Sequence, residues 1–107
     1  MNPQLKKGAL ELCVLSLLIH EDKYGYELTE TISSVMTIAT GTLYLVLKRL
    51  KDEDYVDTYL VESMEGPARK YYHLTEKGRK YQGELKMEWE AFTTNVGIII
   101  RKGEENE

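Results

Sequence analysis

The chain has 107 residues, of which 42% are hydrophobic and 30% charged, and this balance describes one folded domain and excludes a disordered or membrane-spanning chain. The longest apolar stretch, Leu12 to Ile19, is too short to span a bilayer, and the N-terminus carries no basic-then-apolar leader, so a cytoplasmic protein is expected. The net charge of -4 argues against nucleic acid only if charge is averaged over the surface, because Lys48, Arg49, Lys51, Arg69, Lys70, Lys77, Arg79 and Lys80 all fall between residues 36 and 80.

Leu5 to about His20 forms the first predicted helix. Ala9, Leu12 and Ser16 lie on one side and Leu10, Cys13, Val14, Leu17 and Leu18 on others, an apolar arc too wide for one core. Burial on two sides follows, against the chain's own domain and against a partner. The lone Cys13 has no disulfide partner in the chain and reads as a small core residue in a reducing compartment. The charged cluster Glu21, Asp22, Lys23 ends the helix.

A second helix from about Tyr24 presents Leu28, Ile32 and Val35 as an inward stripe and ends near Ser33 and Ser34. Thr40 is the expected N-cap of a third helix, in which Leu43, Val46, Leu47 and Leu50 face the core. Gly41, Leu45 and Lys48 point the opposite way, flanked by Tyr44 and Arg49. Two runs rich in β-branched and aromatic residues follow, Tyr55 to Val61 and Arg69 to Thr75, with Gly66-Pro67 as turn punctuation and the basic pair Arg69 and Lys70 directly after it. This is a hairpin with the form of a wing.

Thr75 caps a last helix to about Arg101, some 25 residues and about 37 Å long. Leu85, Trp89, Phe92, Val96 and Ile99 follow one another at spacings of 4, 3, 4 and 3, the pattern of a helix that packs lengthwise against another. Gly83 and Gly97 each cost it about 1 kcal/mol relative to Ala, so it depends on tertiary or quaternary support. Lys102 to Glu107 is expected to fray. The fold class is therefore mainly α with a small β-hairpin: a winged helix-turn-helix over residues 1–75 followed by a dimerisation helix and charged tail over residues 76–107.

The order and spacing of several pieces resemble the PadR family of transcriptional regulators. They are Tyr24-Gly-Tyr-Glu-Leu28, Gly41-Thr-Leu-Tyr44, Lys48-Arg-Leu50, and Gly66-Pro-Ala-Arg-Lys-Tyr-Tyr-His-Leu-Thr-Glu-Lys-Gly78. The single C-terminal helix is similar to the smaller subclass of that family. Two positions depart from it: Leu45 stands where proline is usual after Tyr44, and Asp54 where glycine often follows the third helix. Asp adopts the left-handed conformation more readily than most residues, so Asp54 can still end that helix.

The resemblance implies a repressor that binds palindromic, double-stranded operator DNA as a homodimer, with Tyr44 touching DNA. Helical geometry puts Gly41, Thr42, Tyr44, Leu45 and Lys48 where a recognition helix meets the major groove, and Arg69 and Lys70 beside the flanking backbone or minor groove. An apolar Leu45 would meet a thymine methyl. In one multidrug-responsive relative, a tryptophan eleven residues beyond the motif glycine stacks on planar aromatic ligands at the dimer interface, and Trp89 stands at that distance from Gly78. Trp89, Phe92 and Leu10 are the implied effector residues, and Leu85, Trp89, Phe92, Val96 and Ile99 the dimerisation residues. His20, His73 and Cys13 have no metal-ligand spacing, and neither a phosphate-cradling loop nor a nucleophile with a base is evident, so neither enzyme activity nor a cofactor is expected. The alternative is a winged-helix module that docks protein and binds no DNA.

Overall fold

A computed structural model describes residues 3–105, with side chains from Gly8 onward. Its elements are α1 (Pro3–Leu17), β1 (Lys23–Tyr24), α2 (Gly25–Val35), α3 (Thr40–Asp52), β2 (Val56–Ser63), β3 (Gly66–Leu74) and α4 (Glu76–Glu105). The three strands form an antiparallel sheet in the order β1-β3-β2. Helices α1, α2 and α3 enclose a leucine-rich core that the base of the hairpin closes with Val56, Tyr72 and Leu74. This is the winged helix-turn-helix architecture, extended by a long C-terminal helix.

The core face of α3 is as expected: Leu43, Leu47 and Leu50 are each 1% exposed and Val46 is 7% exposed. On α1, Leu10, Val14, Leu15 and Leu18 are buried while Leu12, Cys13 and Leu17 are only partly covered, so one side of the apolar arc fills the core. Four expectations are corrected. Val35 is 80% exposed, because the core ends at Ile32 and the last turn of α2 runs past it. Ala39, not Thr40, is the N-cap of α3, and it makes no side-chain cap bond; Thr40 is the first helical residue. The hairpin turn is Met64-Glu65, with Gly66 and Pro67 already in β3. Val61 pairs with Arg69 and Ser63 with Gly66, so Pro67 and Ala68 together face Glu62 in a bulge that tolerates a residue without an N–H. Finally, α4 continues to Glu105, 30 residues and about 45 Å, because nothing after Arg101 stops it.

Two joints hold α4 to the body. Asp54 ends α3 with φ at 64°, the left-handed conformation expected of it. The turned chain delivers the Tyr55 carbonyl to Thr75, whose hydroxyl donates to it at 3.0 Å and whose amide donates to it at 3.2 Å. Thr75 Oγ1 in turn accepts the Gly78 N–H at 2.9 Å, the N-cap role read from the sequence. One turn later Tyr81 stacks on Tyr55, ring centroids 4.1 Å apart and planes at 12°. The buried Gln82 donates to Ser16 Oγ on α1 at 3.2 Å.

Candidate nucleic-acid interface

The outward face of α3 follows from burying the other. Leu45 is 69% exposed, Gly41 and Lys48 are open to solvent, and an added Cβ at Gly41 would meet nothing within 4 Å, so the fold itself has no need of glycine there. Tyr44 sits at the edge of this face, 46% exposed, its ring against the start of α2: a Cβ built on Gly25 lies 3.5 Å from Tyr44 Cε1 and 3.5 Å from Tyr72 Cε1. Lys48 is tied back to Asp52, the last residue of α3, at 2.7 Å, so the helix's own end supplies an intramolecular substitute for a phosphate.

Tyr44, Arg69 and Lys70 converge on one cleft of about 500 Å³ between the N-terminal end of α2 and the wing, with Tyr24, Gly25 and Tyr26 forming its other wall. Gly41, Leu45 and Lys48, all exposed, and the half-buried Thr42 do not line it and instead lie along α3. The tyrosines of the Tyr24-Gly-Tyr motif were not expected in the site. They belong to a ladder in which Tyr26, Tyr24, Tyr71 and Tyr59 follow one another at centroid spacings of 6.0, 5.6 and 5.6 Å. The Arg69 guanidinium lies 4.8 Å over the Tyr24 ring, which orders it while leaving its N–H groups available. Arg49 leaves the surface role that its place on the wheel implied and pairs at 3.3 Å with Glu11 of α1.

Wing orientation is fixed at its base. Asp22, in the loop before β1, accepts from the Tyr59 hydroxyl at 2.7 Å and lies 2.8 Å from His73 Nδ1, so one carboxylate spans β2 and β3. The Tyr59 hydrogen bond, with a smaller contribution from His73, holds the Asp22 carboxyl below its ordinary range. The strand β1 pairs Lys23 with Tyr72 and Tyr24 with Tyr71, a two-residue ladder too short to leave a pattern in the sequence. Together these contacts fix the position of Arg69 and Lys70 relative to α3.

The second cluster lies on α1 and α4. A cavity of about 520 Å³ opens between Ala9, Leu12 and Cys13 of α1, the Met36 to Ile38 turn that leads into α3, and Trp89. Leu10 lines it from a position only 2% exposed, and burial pushes the Cys13 thiol up. Phe92 borders a smaller adjoining groove with Leu12, Leu85 and Trp89. Leu85 is packed on the chain's own core, whereas Trp89, Phe92, Val96 and Ile99 are 36%, 48%, 40% and 68% exposed. Among the described residues no helix is long and apolar enough to cross a membrane.

Comparison with known proteins agrees with this geometry. The sequence profile of the transcriptional regulator PadR-like family matches residues 14–84. A protein of Lysinibacillus sphaericus is 36% identical over 98 residues, covering 88% of this chain and 90% of its own length. Among solved structures, a Streptococcus mutans protein is 35% identical with a TM-score of 0.82, each chain covered to 89%. A PadR-like transcription factor from Bacteroides fragilis is 39% identical with a TM-score of 0.74, covering 90% of this chain and 94% of its own. A PadR-like transcriptional regulator from Bacillus cereus is 35% identical with a TM-score of 0.79, with coverages of 91% and 96%.

Proposed function

Because the chain belongs to the PadR-like family of transcriptional regulators, and so has a regulatory rather than an enzymatic role, we propose that it is a repressor whose homodimer binds palindromic operator DNA. In this reading residues 1–75 bind DNA and residues 76–107 pair the subunits. The observation that carries it is the division of α3 into a buried leucine face and an open face, with Tyr44, Arg69 and Lys70 meeting beside it in one cleft. A duplex needs that combination: an exposed helix face for base edges, and hydrogen-bond donors and cations beside it for phosphates. Tyr44 and Thr42 donate hydrogen bonds, Leu45 offers an apolar contact to a thymine methyl, and Arg69 and Lys70 position the wing.

The test is the salt dependence of binding to a duplex carrying the gene's own promoter region. Wild-type affinity is expected to fall steeply with salt. Lys48→Ala is expected to weaken binding by about 1 to 3 kcal/mol if Lys48 reaches a guanine, or to lower the salt slope by about one if it holds a phosphate. Absence of any salt-dependent affinity would replace this reading with the protein-docking module.

A planar aromatic effector completes the proposal. Support comes from the apolar cavity, whose walls include Trp89 and the turn that leads into α3. A ligand there alters DNA affinity only if it favours one placement of the two recognition helices. Titration with planar aromatic compounds is expected to quench Trp89 fluorescence saturably and to change promoter affinity in parallel; unchanged fluorescence across diverse planar ligands would remove the effector from the scheme.

A further inference from the structure

Among the described residues Glu11 is the one charged residue that is buried, 3% exposed on α1 beside Leu10, Val14 and Leu15. Its two oxygens go to two different helices. Oε1 lies 3.3 Å from Arg49 Nη1 on α3, and Oε2 accepts from the Tyr81 hydroxyl on α4 at 2.8 Å. Burial and the bond to Glu11 push the Tyr81 phenol far above its usual range, so it keeps its proton and remains the donor. A dehydrated carboxylate is costly unless both oxygens are satisfied, and a leucine here would fill similar space without that cost. Stability alone is therefore a poor reason for a glutamate at this position.

What the carboxylate does, and a leucine cannot, is tie the last turns of α3 to the first turns of α4 through α1. We infer that Glu11 and Tyr81 are positioning residues that couple the placement of the DNA-reading helix to that of the dimerisation helix. Every other polar bond described between α4 and the body reaches α1, the loop after it, or the α3–β2 turn: Gln82 to Ser16, Arg79 to the Ile19 carbonyl, Lys77 to the Glu53 carbonyl, and Thr75 to the Asp54 and Tyr55 carbonyls. Only the Glu11 bridge ends on a side chain of α3 itself. A displacement of α4 is thereby passed to Arg49, one residue beyond Lys48 on the same helix. This inference rests on the reading of α3 as the helix that meets DNA.

The test compares wild type, Tyr81→Phe, Glu11→Leu, the double variant and Gln82→Met, on the full chain at one protomer concentration. Tyr81→Phe and Glu11→Leu are each expected to weaken binding to the promoter duplex about fivefold, the double variant no more than Glu11→Leu, and Gln82→Met not at all. The unfolding equilibrium of Glu11→Leu is expected to stay within about tenfold of wild type, which separates positioning from a loss of structure. Wild-type promoter affinity in Glu11→Leu and Tyr81→Phe, or losses that simply add, would overturn the inference. If wild type itself ignores the promoter duplex, the DNA reading falls and the bridge is judged on folding alone. Tyr81→Phe and Arg49→Met, which touch only through Glu11, are then expected to be coupled about fivefold in the unfolding equilibrium and to become independent in the Glu11→Leu background. Independence in both backgrounds overturns it.

Discussion

Gly78→Ala is expected to destabilise the fold by about 3 kcal/mol or more, lowering the melting temperature by roughly 15 °C, although Ala is the better helix former. A Cβ at position 78 would lie 1.9 Å from the Tyr55 carbonyl oxygen and 2.8 Å from Leu74 Cδ1. The carbonyl has nowhere to go. It accepts from both the hydroxyl and the amide of Thr75, and the Tyr55 amide is itself held by the Leu50 carbonyl at 2.9 Å. Admitting one methyl group means moving the start of α4 off the α3–β2 turn, which breaks the Thr75 cap and parts Tyr81 from Tyr55. Gly83→Ala is the internal control, because a Cβ there meets nothing within 4 Å, and it is expected to stabilise by up to about 1 kcal/mol. Thermal unfolding of the two variants at one protomer concentration checks both signs. A tolerated methyl at position 78 would show that α4 is not seated against that turn.

The contrast between these two glycines shows what the sequence discloses. Periodicity reports burial, so the leucine face of α3 and the open positions Gly41, Leu45 and Lys48 were legible from the helical wheel alone. Periodicity does not report where a core stops, and Val35 continued the α2 stripe one turn past the last covering side chain. Turn chemistry misled in a similar way: Gly66-Pro67 carries the composition of a turn but lies in β3, Gly66 paired with Ser63 and Pro67 in a bulge, because a residue lacking an N–H suits a position that the ladder leaves unpaired. Contacts between residues distant in sequence left no local trace. Nothing in the local sequence marks Glu11, whose partners Arg49 and Tyr81 come from α3 and α4, and the steric reason for Gly78 lies 23 residues away at Tyr55. The Tyr24 and Tyr26 walls of the cleft were visible as a motif but not as a surface, since their neighbours Tyr71 and Arg69 come from β3.

Replacing Val96 and Ile99 together by glutamate is expected to leave a folded monomer that has lost at least about 100-fold in affinity for the promoter duplex. Beyond Phe92, α4 carries Val96, Ile98, Ile99 and Ile100 at 39% to 68% exposure, a concentration of apolar surface that a lone soluble helix does not sustain. The chain is 63 Å in its longest dimension and 28 Å in the next, so this end of the helix lacks a covering layer from its own subunit. In the proposed homodimer a second copy supplies one, and the 4, 3, 4, 3 spacing is the spacing that helix–helix packing needs. Two buried carboxylates opposite their symmetry mates would cost several kcal/mol, enough to dissociate a dimer of ordinary strength. The core, which α4 meets through Gly78, Tyr81, Gln82 and Leu85, is untouched, so far-UV circular dichroism should retain the wild-type helix signal. DNA affinity is expected to fall because, in the proposed reading, each subunit meets one half-site and separated subunits lose the gain of binding two half-sites at once. Sedimentation equilibrium and anisotropy titration on the same samples check the two halves of the expectation. A variant that remains dimeric would place the subunit contact elsewhere, and a monomer with full promoter affinity would remove the need for a symmetric operator.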